Sequence, residues 1–229
     1  VSQAKPVVPI FELPIFKDFS KDQIQDLIRG GIAYTSKHRE ILFRAGDPAT
    51  YMSLVLQGAY KLTRIDTNGN ESIMYFASPG DAIGALVVPK PNAQFPVTCV
   101  SMGASMVLKI PRQTYLESWF SNAPLQQRIN GILFQRMSRL HEEKMQQRLP
   151  LPIRVSAILV NLLEKYSNGA DQIVPVPITR QEIADSAGAA VESVIRLMSE
   201  WTSEGLIKTE DRQIEVIQLD RLIAISNGE

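Results

Sequence analysis

The sequence predicts an α+β chain in three parts: a β-roll, one long helix, and a helical domain that ends in a strand pair. Three observations carry this. Between about residues 32 and 110, short apolar runs alternate with turn residues, and Gly46, Gly58, Gly69 and Gly80 recur every eleven or twelve residues. Residues 113–148 switch to apolar steps of three and four. Beyond them, "ITRQEIADSAGAAVESVIRLMSEWTSEGLIK" (178–208) reads as two short helices meeting at Gly188. The implied divisions are 1–112, 113–149 and 150–229.

In order along the chain, "FSKDQIQDLI" predicts a short helix. Ser20 and Gln23 have capping-box spacing, and Phe19, Ile24, Leu27 and Ile28 supply an apolar stripe. "EILFRAG", "YMSLVLQG", "YKLTRI" and "ESIMYFASPG" read as strands of a sandwich or barrel-like roll. "TNGNE" (67–71) is a hairpin signal, because Asn-Gly accepts the positive φ angles of a tight reversal. "VVPKPNAQFP" predicts a loop, and "VTCVSMGASMVLKI" a returning pair of strands.

On the long helix, Leu125, Ile129, Ile132/Leu133, Arg136/Met137 and Leu140 fall at steps of three and four and form a narrow stripe. A stripe of that width suits pairing with a second copy, and Leu125, Ile129, Ile132, Leu133, Arg136 and Leu140 are the expected dimer interface. Packing onto the chain's own β domain is the alternative. "RLPLPIR" ends the helix, Pro152 suits the start of the next one, and "NGADQIVPVPI" predicts a loop with a short strand.

Thr179 and Glu182 form a second capping box. Ala184, Gly188 and Val194 then meet the requirements of a helix-turn-helix: a small residue for close crossing, a glycine for the turn, a branched residue in the angle. Ile183, Ala187, Val194, Leu197 and Met198 would be the shared core, leaving Val191, Glu192, Ser193, Ile195 and Arg196 on or near the outward face. Arg196 could donate twice to guanine and Glu192 accept from cytosine. Thr179, Arg180 and Gln181, at a helix N-terminus, suit a phosphate. "LIKTEDRQIEVI" predicts a two-stranded wing. A helix pair that serves only structure, or binds protein, is the competing reading.

Composition narrows the function classes. The single cysteine, Cys99, excludes a disulfide framework, a cysteine-ligated iron–sulfur cluster and a cysteine-rich zinc site. No run of 18 apolar residues spans a membrane, and the N-terminus lacks signal-peptide character, so a cytoplasmic protein is the expectation. No paired-carboxylate, nucleophile–base or metal-ligand spacing suggests an enzyme, and "HEEKM" lacks the second histidine of a zinc-protease motif. The net charge of zero hides an asymmetry. Residues 1–149 hold 17 Lys and Arg against 12 Asp and Glu, whereas residues 150–229 hold 7 against 12. An acidic C-terminal domain runs against the basic footprint usual for DNA binding.

Over nearly its full length the chain resembles the cyclic-AMP receptor protein / fumarate-nitrate regulator (CRP/FNR) family of bacterial transcription factors. The residues that carry this are "FRAGDPA" (43–49), "LQGAYKL" (56–62), "NGNES" (68–72), "SPGDAIGAL" (78–86), and "ITRQEIADSAG" (178–188) followed by "VESVIR" (191–196). The resemblance implies a cyclic-nucleotide-binding-like jelly-roll sensor, a dimerisation helix and a winged helix-turn-helix. It also implies partners: a second copy, a roughly palindromic double-stranded DNA site, a small effector and RNA polymerase. DNA reading would fall on Glu192, Ser193 and Arg196, with Arg180 and Gln181 at phosphates. The "VE" pair is similar to the fumarate-nitrate branch, but Ile195 stands where that branch has a small serine.

The resemblance also locates an effector pocket at Gly84, Ala85, Leu86, Phe95, Pro96 and Val97. Cyclic-AMP binders carry a glutamate for the ribose in a "GEL" motif and an Arg-Ser pair for the phosphate. Gly84-Ala85-Leu86 and Phe95-Pro96 replace them, so cyclic AMP bound in the usual manner would bury its phosphate with no partner, which leaves a different cyclic nucleotide or another orientation as alternatives. A haem sensor would need an axial ligand, for which only His38 and His141 exist. The alternative to a DNA-binding regulator is a ligand-responsive interaction protein of the same family with impaired DNA binding.

Overall fold

A computed structural model describes residues 9–65, 71–146, 149–166, 173–174, 177–210 and 213–229; the side chains of 135–136, 139–146 and 165–166 fall outside that description. The chain divides into two compact units, Val1–Gly69 with Met74–Met137, and Asn70–Ile73 with Ser138–Glu229. The long helix crosses the division.

The first unit opens with helix α1 (Lys21–Leu27), whose capping box forms as its sequence predicts. Gln23 N–H donates to Ser20 Oγ at 3.2 Å, and Ser20 N–H donates to Gln23 Oε1 at 2.8 Å. Eight strands follow: β1 (Ile32–Ser36), β2 (Ile41–Phe43), β3 (Tyr51–Gln57), β4 (Tyr60–Ile65), β5 (Glu71–Ala77), β6 (Ala82–Ile83), β7 (Thr98–Ser101) and β8 (Ser105–Pro111). They make two four-stranded sheets, ordered β1-β8-β3-β6 and β2-β7-β4-β5. Pairing is antiparallel and long-range: Ile32 faces Lys109, and Phe43 faces Cys99. Strand β3 is buried at every position from Met52 to Leu56, as expected of a strand with neither face in water.

Gly58 makes the β3–β4 reversal at φ 73°. A Cβ there would lie 2.4 Å from Ser105 Oγ and 2.6 Å from the Ala104 carbonyl oxygen, so only glycine fits. The Asn68-Gly69 turn lies outside the described residues.

Residues 113–148 are not one helix. A short turn, α2 (Arg112–Thr114), passes into a single π-turn at Tyr115–Trp119, and α3 (Ala123–Gln146) starts afresh. Asn122 causes the restart: its Oδ1 accepts from Leu125 N–H at 3.2 Å, the capping role for which asparagine is preferred. The π-turn brings Trp119 and Tyr115 into the core. Trp119 Nε1–H donates to the Leu27 carbonyl at 2.7 Å, and its ring meets Phe16 edge-on at 5.5 Å.

The stripe on α3 has a different partner from the one its spacing suggests. Leu125 (0% exposed) and Ile129 (4%) belong to the core of their own β domain, and Ile132 and Leu133 are half-buried beside them. Leu125 and Ile129 are therefore unavailable as part of the expected dimer surface. The periodicity marked a buried face, but the apolar surface covering it is intramolecular. The side chains of Arg136, Leu140 and His141 lie outside the described residues. Elsewhere around the helix, Phe134 (73%) and Met137 (60%) are exposed, and Gly131 faces open space.

The second unit holds α4 (Leu151–Tyr166), α5 (Arg180–Ala187), α6 (Val191–Ser203), a strand pair β9 (Ile207–Glu210) and β10 (Gln213–Val216), and α7 (Leu219–Asn227). Helix α4 packs against α5 and α7. Ile173 bridges to Glu215, extending the wing, and the wing's turn at 211–212 lies outside the described residues.

Candidate nucleic-acid interface and ligand cavity

The α5–α6 pair is built from its ends inward. Thr179 N-caps α5: its Oγ1 accepts from Glu182 N–H at 3.2 Å while Glu182 Oε2 accepts from Thr179 N–H at 2.8 Å. Gly188 ends α5 at φ 59°, ψ 47°, the left-handed cap that glycine adopts without penalty. Ile183, Ala184, Ala187, Val194, Leu197 and Met198 are all buried, so the angle between the helices is filled as the spacing requires.

That packing leaves Glu192, Ser193, Ile195 and Arg196 exposed on one side of α6. Ile195 is 48% exposed, an apolar contact among polar ones. The N-cap of α6 is Ala190, which makes no side-chain cap, so the first-turn N–H groups of α6 are left without a side-chain acceptor. Such groups suit a phosphate oxygen.

The expected phosphate contacts divide. Gln181 is exposed, although its Nε2 donates to Asp185 Oδ1 at 2.8 Å. Thr179 Oγ1 is engaged in the cap. Arg180 is only half-exposed; its Nη2 donates to Thr209 Oγ1 at 3.0 Å, and burial pulls its guanidinium below the ordinary value. Arg180 thus ties α5 to the wing strand β9 rather than standing free.

Sequence reasoning missed Arg154. From α4 its Nη1 donates to the carbonyls of Ala187 and, at 3.3 Å, Gly188, so it caps the C-terminus of α5 at the turn itself. Its partners lie more than 30 residues away, and no local spacing signals them.

A separate cavity of about 150 Å³ lies within the first unit. All six residues expected around an effector line it: Gly84, Ala85, Leu86, Phe95, Pro96 and Val97. Phe43, Leu62, Ala82, Ile83 and Val87 contribute the rest of the β side, and Ile129, Ile132 and Leu133 of α3 form the helix side. Phe43 and Phe95 stack with ring centres 3.8 Å apart and planes at 13°. No charged side chain lines the space, nor does a His, Cys or Met that could ligate a haem iron. His38 is exposed in the turn after β1. Cys99 is fully buried, and desolvation pushes its thiol well above the ordinary range, which makes it inert rather than reactive. Among the described residues no group of acidic, His and Cys side chains could hold a metal, and no helix is long and apolar enough to cross a membrane.

Comparison with known proteins places both regions. A family model described as the Crp-like helix-turn-helix domain matches residues 153–225, and one described as the cyclic nucleotide-binding domain matches residues 35–121. The transcriptional activator protein FnrA of Stutzerimonas stutzeri is 26% identical over 215 residues, spanning 90% of this chain and 84% of the relative. The transcriptional activator protein anr of Pseudomonas aeruginosa is 27% identical, over 91% and 85% respectively. Among solved structures, FixK2 from Bradyrhizobium japonicum superposes with a TM-score of 0.72 at 17% identity, covering 85% of this chain and 96% of that one. The c-di-GMP-responsive regulator CLP of Xanthomonas campestris gives 0.70 at 17%, over 86% and 99%. At such identities the structural likeness speaks to fold.

Proposed function

The chain belongs to the CRP/FNR family of transcription regulators, and on that footing we propose a homodimeric, effector-responsive regulator that reads a roughly palindromic DNA site. One observation carries the DNA-reading part. The buried stripe of α6 fixes its opposite side outward, and that side presents Glu192, Ser193 and Arg196 together after a left-handed glycine turn. Arg196 has the two-pronged donor geometry that recognises guanine, and Glu192 accepts from a cytosine amino group. A dimer would present two such helices about 34 Å apart, one helical repeat of DNA.

The pairing surface we assign is the outward side of α3: Gly131, Phe134 and Met137. An exposed apolar pair beside a glycine with open space above it allows a second helix to approach closely. The small-effector site is the cavity in the β-roll. Because Ile129, Ile132 and Leu133 form one of its walls, an occupant touches the helix that would carry the dimer contact. Binding one pose of that helix better than another is sufficient to shift the regulator's equilibrium. The usual cyclic-AMP contacts are missing, and the lining offers haem no axial ligand, so neither is proposed. RNA polymerase is proposed as the partner of the DNA-bound dimer, and the cytoplasm as its location.

A polarisation titration against a library of palindromic sites at low salt tests this reading. Arg196→Ala should relax preference at one base pair of each half-site by about 1–3 kcal/mol, roughly 5- to 150-fold, without altering the melting temperature. Unchanged selectivity removes Arg196 from the reading role. If no sequence binds above background, the acidic balance of residues 150–229 and the exposed Ile195 favour the interaction-protein reading instead.

A further inference from the structure

From the cavity walls we infer that the effector is an uncharged, single-ring aromatic molecule. The inference rests on the reading of the β-roll as the sensor and narrows what the roll senses.

Charge is excluded first. No side chain in the lining could neutralise an ion, and several backbone groups there already have protein partners. The Gly84 carbonyl accepts from Val87 N–H and Val88 N–H, both at 2.9 Å. The Ala85 carbonyl accepts from the buried Tyr115 hydroxyl at 2.9 Å. Phe95 donates to the Asp47 carbonyl at 2.9 Å and accepts from Gly46 N–H at 2.8 Å. A phosphate or carboxylate entering this space would surrender its water and meet no opposite charge in return.

Size comes next. The space of about 150 Å³ is what a benzene-sized guest fills in an apolar cavity. Shape then selects aromatic over aliphatic. Two stacked rings, Phe43 and Phe95, stand in the wall, and the second is held in place from several directions. Tyr51 packs against it at 5.8 Å, and a Cβ at Gly84 would come within 3.1 Å of its Cε1. Glycine at 84 therefore leaves room for the ring in this pose. A third ring gains offset or edge contacts with the pair that a saturated ring does not.

The test uses the full-length protein and fluorobenzene, followed by fluorine NMR. Its resonance should broaden saturably. Toluene should displace it better than methylcyclohexane by roughly 2- to 12-fold, and cyclic AMP should not displace it. Val97→Phe and Ile132→Phe fill the space from opposite walls, and whichever retains the parent melting temperature should abolish the broadening. Toluene should also change affinity for the selected DNA site by about 5-fold or more. Equal displacement by the saturated ring, or broadening that survives both filled cavities, overturns the proposal. A response of DNA affinity to a charged nucleotide but to no aromatic overturns the ligand class alone. Aromatic binding in the cavity with no effect on DNA affinity overturns the sensor reading beneath it.

Discussion

Replacing Arg154 with methionine tests the cap that holds the turn between α5 and α6. Methionine keeps much of the aliphatic stem and removes the donors. Hydrogen bonds from a charged donor contribute about 1.5–3 kcal/mol. Here one contact, to Gly188, is long at 3.3 Å, and the Nε is buried with no hydrogen-bond partner among the described residues. That desolvation offsets part of the gain, so the expected loss is about 1–2 kcal/mol, near the lower end. For a domain of this size melting as its own unit, the loss corresponds to roughly 4–16 °C. Urea unfolding followed by tryptophan fluorescence reads it, because Trp201 is buried in the same unit as Arg154 and Trp119 is buried in the other. The transition reported by Trp201 should move and that of Trp119 should not. Arg154→Lys, which keeps one charged donor, should recover part of the loss. A methionine variant within 0.5 kcal/mol of the parent, or a lysine variant no better than it, would refute the capping account.

Gly58→Ala combines a left-handed backbone with a clash against Ser105 and the Ala104 carbonyl, and should cost about 2–5 kcal/mol by thermal melting. Tyr34→Phe probes an acid-sensitive contact. The Tyr34 hydroxyl donates to Glu40 Oε1 at 2.6 Å and, with the Lys37 N–H, holds the carboxyl below its usual range. A depressed carboxyl stabilises the fold above its unfolded value and loses that contribution as pH falls through the folded one. The parent should therefore melt higher than the phenylalanine variant at neutral pH, and the gap should close on acidification. Phe134→Glu should shift the sedimentation behaviour from dimer toward monomer with the fold retained, whereas Leu125→Ala should cost about 2–5 kcal/mol of stability and leave association unchanged per folded molecule.

Which features could be read from the sequence follows from how far their causes reach. The capping boxes at Ser20–Gln23 and Thr179–Glu182 need only residues three apart, and both form. The Ala184–Gly188–Val194 spacing likewise contains its own packing problem and solution. The α3 stripe was readable as a buried face, but periodicity carries no information about what covers that face, so Leu125 and Ile129 were given to a partner copy instead of the β domain. Strand β1 shows an exposed, weakly patterned edge, and β6 has two residues, so neither announces itself. The restart at Asn122 lay hidden because apolar residues continue on both sides of it. Arg180 looked like a free cation at a helix start; its partner Thr209 becomes visible only when the wing folds back.

The pairing of Ile32 with Lys109 has a consequence for synthesis. The first strand has nothing to bond with until β8 has left the ribosome, and β3, its neighbour across β8, has only the two-residue β6 beside it until then. At bacterial and eukaryotic translation speeds, delivering the intervening stretch takes several seconds to more than ten. During that interval apolar strands such as "MSLVL" lack their final neighbours, so the nascent chain passes through a window of vulnerability to aggregation that the α5–α6 hairpin, with its close-range contacts, is spared.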